Sequence, residues 1–173
     1  KAAVDAGVST LMTSFSDLNG IPATANEFLL RQVLREEWDF GGFVVSDWDS
    51  IRQLHIHGLT ENDKESAYQA VTAGVDMEMA GDAYINHLAA LLDEGRIDIA
   101  AIDNAVSSIL HLKFELGLFD NAVTDPSRLP PLASQQGLDT ARQAALQSVV
   151  MLKNDHRVLP LSAKELSSVA VIG

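Results

Sequence analysis

The sequence contains no cysteine, and its 12 lysine and arginine residues are outnumbered by 24 aspartate and glutamate residues. Without cysteine, disulfide bonds and thiolate metal sites are excluded. The formal net charge of −12 would repel nucleic acid and anionic membrane surfaces, so neither is expected as a partner. No apolar run approaches the roughly 18 residues that suggest a membrane-spanning helix. The remaining composition, 47% hydrophobic and 21% charged, is typical of a globular protein.

Two ten-residue segments of the first half are similar to each other. Residues 3–12 read AVDAGVSTLM and residues 70–79 read AVTAGVDMEM. Both have the pattern of a helix end, a glycine in the left-handed conformation and a following strand. A further glycine, Gly42, precedes a third apolar segment. Gly7, Gly42 and Gly74 are 35 and then 32 residues apart, which is the length of one strand plus one helix.

The segments between and after these strands have the apolar spacing of amphipathic helices. Their predicted starts are Asn26 as an N-cap, Thr60 with Asp63 as a capping box, Tyr84, and Asp98 as an N-cap. Strands that alternate with helices predict an α/β fold with a parallel sheet, either an open doubly wound sheet or a (β/α)₈ barrel. Eight units of this length come to roughly 250 residues, the usual size of such a barrel. Three units are visible, so the sequence predicts the C-terminal part of a TIM-like barrel in an incomplete chain.

The character of the sequence changes after the third unit. Residues 121–137 carry three of the five prolines and have no helical period, which is typical of a linker. We therefore predict barrel units over 1–120, a linker over 121–137, and the start of a second α/β domain over 138–173. That start comprises a helix over 138–147 and a strand over 168–173. The strand ends in glycine, as a dinucleotide-binding turn would begin, but no second glycine follows it.

A carboxylate and an indole follow the second predicted strand. Phe43–Val45 is an unbroken apolar run, and Ser46, Asp47 and Trp48 come directly after it. Ligands of parallel α/β folds bind at the carboxyl ends of the strands, where Asp47 would serve as nucleophile, general acid or base, or metal ligand. The flat face of Trp48 suits the C–H face of a sugar ring. From the residues alone, glycoside hydrolysis and a solvated aspartate beside a packing tryptophan both stay open.

A long segment of the chain resembles glycoside hydrolase family 3, which includes β-glucosidases, β-xylosidases and glucan exohydrolases. Residues 11–51, LMTSFSDLNGIPATANEFLLRQVLREEWDFGGFVVSDWDSI, are similar to the late barrel strands of that family. The likeness continues through AGVDMEM at 73–79 and ARQAALQSVVMLKNDHRVLPL at 141–161. The resemblance implies a (β/α)₈ barrel followed by an α/β sandwich domain, in agreement with the predicted domain organisation.

The resemblance also implies roles for individual residues. Asp47, in the SDW motif, would be the catalytic nucleophile of a retaining mechanism. Trp48 would stack on the aglycone or the next sugar. Phe15 departs from a tyrosine whose hydroxyl can hydrogen-bond the nucleophile in some members, and would act as an apolar wall of the pocket, with core packing as the alternative. Met79 is a candidate from its position and not from the resemblance: it is near enough to the end of the third strand to contact substrate, although barrel packing is favoured.

The implied reaction is exo-acting release of terminal, non-reducing β-D-glucosyl residues from β-glucosides or β-glucans, with no metal and no cofactor. A β-xylosidase or related exo-glycosidase is the alternative within the family. The acid/base glutamate and the family's Lys-His pair would lie outside these residues, so the rest of the parent chain would be needed to complete the barrel and the active site. A polysaccharide-degrading role would place the protein in the periplasm or outside the cell.

Two further interpretations belong to other classes of protein. An extended H-x-H pair, His55 and His57, would place both imidazoles on one side, so a metal-dependent barrel hydrolase would use them with Asp47. A non-catalytic carbohydrate-binding fragment is the second. Asp76 and Glu78 alternate along the third strand and point the same way, and we favour a structural role for them over a place in the active site.

Overall fold

The computed structural model describes residues 1–172. The chain divides into two compact units, Lys1–Val123 and Thr124–Gly173, and each is described by itself. The assignment of these units to a barrel and a sandwich domain stays a prediction. No helix within residues 1–172 has both the length and the apolar composition needed to cross a bilayer.

The first unit is built on a parallel sheet. In chain order the strands of this unit are β1 (Thr10–Met12), β2 (Asp17–Leu18), β3 (Ile21–Pro22), β4 (Phe43–Trp48) and β5 (Met77–Met79). β1, β4 and β5 form one sheet with β4 in the centre, and both pairings are parallel. β2 and β3 form a short antiparallel hairpin in the loop after β1. Neighbouring parallel strands joined by helices confirm the predicted α/β class.

Helices connect these strands. The first unit contains α1 (Ala2–Asp5), a helix over Phe28–Glu37, α2 (Ser50–Ile56), α3 (Asp63–Ala73), α4 (Ala83–Asp93) and α5 (Ile99–Glu115). Asn26 caps the helix before β4 as predicted, since its Oδ1 accepts a hydrogen bond from the Leu29 N–H at 3.0 Å. The predicted cap of α3 was wrong by two residues. Asn62, not Thr60, accepts from the Glu65 N–H at 3.0 Å.

The core lies between the sheet and the helices that cover it. Its fully buried members include one strand residue, two residues of α2 and one of α4, namely Val44, Ile51, Leu54 and Leu91. Within the apolar run of β4, Val44 is buried, whereas Phe43 and Val45 on the opposite face are half-buried, so the run is not buried on both faces as its sequence predicts. Gly74 ends α3 with φ of 107°, a conformation that glycine adopts without steric cost and that turns the chain directly into β5.

The second unit contains one long helix. α6 spans Gln135–Ser148 and Ser134 caps it, because the Ser134 Oγ accepts from the Gly137 N–H at 3.1 Å. The helix thus begins earlier than predicted, within the predicted linker. The predicted strand is wrong for residues 168–172, which pair with no other strand in the described chain; Gly173 lies outside the described residues. A strand needs a neighbouring strand for its ladder hydrogen bonds. The apolar side chains of this segment are exposed.

Candidate active site

Asp47 and Trp48 are the last two residues of the central strand, at the carboxyl edge of the sheet. Asp47 is half-buried, whereas the Trp48 side chain is 66% exposed. The Trp48 N–H donates to the Asp47 Oδ1 at 2.6 Å. One carboxylate oxygen is therefore held by the adjacent backbone, which restricts the side chain to a small range of directions. The sequence correctly predicted that a carboxylate and an indole lie together at this edge.

The pairing between β4 and β5 is irregular at this point. Val45 pairs with Met77 and Trp48 pairs with Met79, so β4 advances three residues while β5 advances two. This is the arrangement of a β-bulge, which bends a strand and redirects its side chains. The bulge brings Met79 opposite Trp48, and Met79 is half-buried. Its predicted role as a substrate contact stays a prediction.

Ser46 lies inside the bulge and is completely buried. Its Oγ accepts from the Met79 N–H at 2.8 Å and donates to the Asp47 carbonyl oxygen at 2.9 Å. The sequence analysis did not single out Ser46. The available signal was a serine that follows an apolar run just before a carboxylate, because a hydroxyl buried in the core needs a hydrogen-bond partner there.

Phe15 lies on the loop after β1 and is 51% exposed, so it is not part of the core. It lines a cavity of about 310 Å³ together with Asp17, Gln53 and His57. Asp47 and Trp48 are not among the residues that line this cavity. The structure therefore brings Met79 beside Asp47 and Trp48 but does not place Phe15 in one pocket with them. The predicted role of Phe15 as a pocket wall stays a prediction.

Three buried hydroxyls connect the loop after β1 to the start of α2. The Thr24 Oγ1 is 2.9 Å from the Thr13 Oγ1 and 3.1 Å from the Ser50 Oγ, and all three residues are buried. Each hydroxyl can donate and accept, so the chain satisfies polar groups that would otherwise be costly to bury. The connection joins two loops at the carboxyl edge of the sheet. Sequence reasoning missed it because the three residues are far apart along the chain.

Asp76 has a structural role, as the sequence analysis favoured. Its Oδ2 accepts from the Arg35 Nη2 at 2.8 Å and from the Val44 N–H at 2.7 Å. Burial raises the pKa of Asp76, and the hydrogen bond from Val44 and the Arg35 charge oppose that rise. Arg35 also donates to the carbonyl oxygens of Phe40 and Gly42. This carboxylate therefore ties β5 to the turn before β4.

Glu78 also has a structural role. Its two carboxylate oxygens accept from the N–H groups of Ala83 and Tyr84, at 3.1 and 2.7 Å, in the first turn of α4. Burial raises the pKa of Glu78, and these backbone hydrogen bonds oppose the rise. Both oxygens are engaged at the helix start, so the side chain serves as its cap.

The metal-dependent interpretation rested on an extended H-x-H pair, and that geometry was wrong. His55 lies in the last turn of α2 and His57 directly follows the helix. Residues two apart on a helix point to nearly opposite sides because one turn takes 3.6 residues. Both histidines are exposed. Within residues 1–172, no group of three or more histidine, aspartate or glutamate side chains is arranged to hold a metal ion.

Comparison with known proteins decides the family. Residues 1–112, more than half of the chain, match the family described as glycosyl hydrolase family 3 N terminal domain. The chain belongs to glycoside hydrolase family 3. This confirms the resemblance predicted from the sequence, and it agrees with the parallel α/β sheet of the first unit. The SDW motif of this family 3 chain is the segment that ends β4 at the bulge.

Curated relatives of this family 3 chain include glucosidases and xylosidases. It is 37% identical to the periplasmic β-glucosidase of Salmonella typhimurium, over 100% of the chain and 23% of the relative. A β-xylosidase of Formosa agariphila is 36% identical, over 99% of the chain and 25% of the relative. The chain thus spans about a quarter of the length of the curated relatives that it matches.

Solved structures give the same result for the fold. A β-glucosidase from Listeria innocua in complex with glucose is similar with a TM-score of 0.79 and 40% sequence identity, over 93% of this chain and 22% of that one. A β-glucosidase from Erythrobacter marinus is similar with a TM-score of 0.75 and 39% identity, over 92% of this chain and 22% of that one. The agreement confirms the fold class and the glycoside hydrolase relationship.

Proposed function

We propose that this chain carries the nucleophile of a retaining, exo-acting β-glycosidase that releases terminal β-D-glucosyl residues. The observation that carries the proposal is the position of Asp47. It is a half-buried carboxylate at the carboxyl end of the central strand, beside an exposed indole, in a family 3 chain. Ligands of parallel α/β folds bind at this edge. The β-glucosidase names of several relatives support glucose as the sugar.

The proposed reaction has two steps. An Asp47 carboxylate oxygen attacks the anomeric carbon, and the bond to the leaving oxygen breaks with its electron pair going to that oxygen. The acid that protonates the leaving oxygen lies outside this chain in our proposal. Water then attacks the anomeric carbon and gives one proton to the conjugate base of that acid, while the ester bond to Asp47 breaks with its electron pair going to the carboxylate. Two displacements retain the anomeric configuration.

A β-xylosidase is the second candidate within this mechanism. Its support is that a curated β-xylosidase is almost as similar to the chain as the β-glucosidase is, at 36% against 37% identity. Glucose and xylose differ by the hydroxymethyl group at C5, so residues that surround C5 would decide between them. A periplasmic or secreted location is supported by the name of the Salmonella relative and is part of the proposal.

Covalent labelling tests the nucleophile. Incubation of the full-length protein with the 2,4-dinitrophenyl 2-deoxy-2-fluoro-β-D-glucoside should add the mass of one fluorosugar to the peptide that contains Asp47. The fluorine destabilises the oxocarbenium-like transition states, and the good leaving group lets the ester form faster than it is hydrolysed. Mass spectrometry of the intact protein and of its peptides gives the readout.

The corresponding 2-fluoroxyloside is the matched probe for the second candidate. Faster labelling by the glucoside supports the glucosidase, and faster labelling by the xyloside supports the xylosidase. A label on another carboxylate, or hydrolytic activity with no label from either probe, would contradict the proposed role of Asp47.

Trp48 should affect substrate binding without affecting stability. Because its side chain is 66% exposed, Trp48→Ala removes a stacking face and little packing. We expect the KM for a β-linked disaccharide to rise about 3- to 10-fold, the value of one aromatic contact, with the unfolding midpoint unchanged. Trp48→Phe keeps a flat ring, so its KM should lie between that of the unaltered protein and that of Trp48→Ala. A lowered midpoint with an unchanged KM would show that Trp48 packs and does not bind.

A further inference from the structure

The bulge at the end of β4 leaves β5 with a backbone group that the regular ladder does not pair. β4 has one more residue than β5 between the paired positions Val45–Met77 and Trp48–Met79. The Met79 N–H therefore meets a side chain and not a main-chain carbonyl of β4, and its acceptor is the Ser46 Oγ at 2.8 Å. The ladder resumes on the far side of the bulge, where the Asp49 N–H donates to the Met79 carbonyl at 2.9 Å.

The Ser46 hydroxyl serves both strands at once. It accepts from Met79 on β5 and donates to the carbonyl oxygen of Asp47 on its own strand, at 2.9 Å. The side chain has no exposed surface, so bulk water does not reach this hydrogen bond. In a site of this kind, an N–H that loses its acceptor carries the full cost of its desolvation. The bulge in its present shape thus depends on one hydroxyl.

The backbone that this hydroxyl holds is the backbone of the proposed nucleophile. Ser46 binds the Asp47 carbonyl oxygen, and the Trp48 N–H binds the Asp47 Oδ1 at 2.6 Å. Both hydrogen bonds therefore act on one peptide group, the one that joins Asp47 to Trp48: the buried hydroxyl binds its carbonyl oxygen and the Asp47 carboxylate binds its N–H. A bulge turns the side chains of its residues out of the regular alternation of a strand. The direction of the Asp47 carboxylate follows from that turn.

We propose that Ser46 is a positioning residue for Asp47. Its hydroxyl maintains the shape of the bulge, and the bulge sets the direction of the Asp47 carboxylate. The inference rests on the proposed function, in which Asp47 attacks the anomeric carbon. Attack requires the carboxylate oxygen close to the carbon and in line with the leaving group, and a displacement of about 1 Å can cost about 10²-fold in rate. Ser46 does not contact the substrate. Its loss should therefore slow the formation of the ester and leave ground-state binding almost unchanged.

The test measures inactivation of the full-length protein by the 2-fluoroglycoside that labels it, which separates the binding constant from the rate constant of ester formation. Ser46→Ala should lower the rate constant about 100-fold and change the binding constant less than about threefold. Ser66→Ala is the matched control. Ser66 is also completely buried, and its hydroxyl bonds Thr60 and the Asn62 carbonyl at 2.7 and 3.2 Å in the first turn of α3. Both variants should lower the unfolding midpoint, but Ser66→Ala should label at nearly the normal rate.

Ser46→Cys keeps the experiment decisive if the alanine variant does not fold. Sulfur is a weaker acceptor than oxygen, and we expect an intermediate loss of about 10-fold in the rate of labelling. Labelling of Ser46→Ala or Ser46→Cys at the normal rate would overturn the inference and leave the proposed function intact. An equal loss in Ser66→Ala would show a general effect of destabilisation and would also overturn it. Absence of a label on Asp47 in the unaltered protein would overturn both proposals.

Discussion

Replacement of Asp47 by asparagine in the full-length protein should lower kcat for an aryl β-glucoside by about 10⁴- to 10⁶-fold, the loss that removal of a covalent nucleophile causes. The amide has nearly the shape of the carboxylate and can still accept from the Trp48 N–H, so the bulge should persist. What it lacks is the negative charge and the nucleophilic oxygen. Steady-state hydrolysis measures the loss, and an unchanged unfolding midpoint shows that the fold is intact.

Asp49→Asn is the matched control for this variant. Asp49 lies two residues further along, and its carboxylate is paired with Arg52 at 2.5 Å. Its φ is 53°, a left-handed conformation that asparagine also tolerates. The same change of charge at this position should therefore cost less than about tenfold in kcat. Equal losses in the two variants would indicate that the local charge, and not a nucleophile, is what matters.

Asp47→Gly allows a positive test of the same role. The glycine variant leaves space where the carboxylate was, and added azide can attack the anomeric carbon from that side. The leaving group departs with its electron pair, and the product is an α-glycosyl azide, with inverted configuration. We expect azide to restore turnover of an activated glucoside in Asp47→Gly and to have little effect on the unaltered protein. A β-azide, or no restoration, would contradict attack by Asp47.

The second large effect concerns Gly42→Ala, which should strongly destabilise the fold. A Cβ at Gly42 would lie well inside contact distance of the Ser9 carbonyl group, at the start of β1, and close to the Phe40 ring. The Phe43 N–H donates to the same Ser9 carbonyl at 3.2 Å, so the two strands cannot separate without losing their pairing. We expect the free energy of unfolding to fall by about 3 kcal/mol or more, measured by denaturant titration of the full-length protein.

Gly41→Ala is the neighbouring control. No heavy atom lies within 4 Å of a Cβ placed at Gly41, and its φ is not in the left-handed region. Its substitution should change the free energy of unfolding by less than about 0.5 kcal/mol. Similar unfolding midpoints for the two variants would contradict the close approach of β1 and β4 at Gly42.

The alternation of elements was predictable because it depends on local signals. Apolar runs, glycines at helix ends and caps such as Asn26 are properties of short segments, and they correctly predicted three parallel strands joined by helices. The errors have equally physical causes. Thr60 and Asn62 are both good N-caps, and only the path of the chain into α3 selects the second. The strand predicted over 168–172 needs a hydrogen-bonded neighbour, which its own residues cannot supply.

The candidate site was predictable only in part. A carboxylate and an indole that follow an apolar run of a parallel strand lie at the carboxyl end of that strand, where ligands bind, so Asp47 and Trp48 could be selected from their positions. Phe15 was selected by resemblance and Met79 by its position at the end of a strand, and their roles stay predictions. The H-x-H pair failed because its geometry assumed extended backbone, whereas α2 begins at Ser50 and carries His55 in a helix.

By itself, the sequence determined the class of the fold, the family, and the carboxylate proposed to react, because each depends on residue types at fixed spacing. Only the tertiary structure decided how that carboxylate is held. The bulge exists because β4 has one more residue than β5 between paired positions, and Ser46 maintains its shape by accepting a hydrogen bond from an N–H more than 30 residues away along the chain. Such a hydrogen bond depends on the register between two strands. No pattern within one segment contains that register.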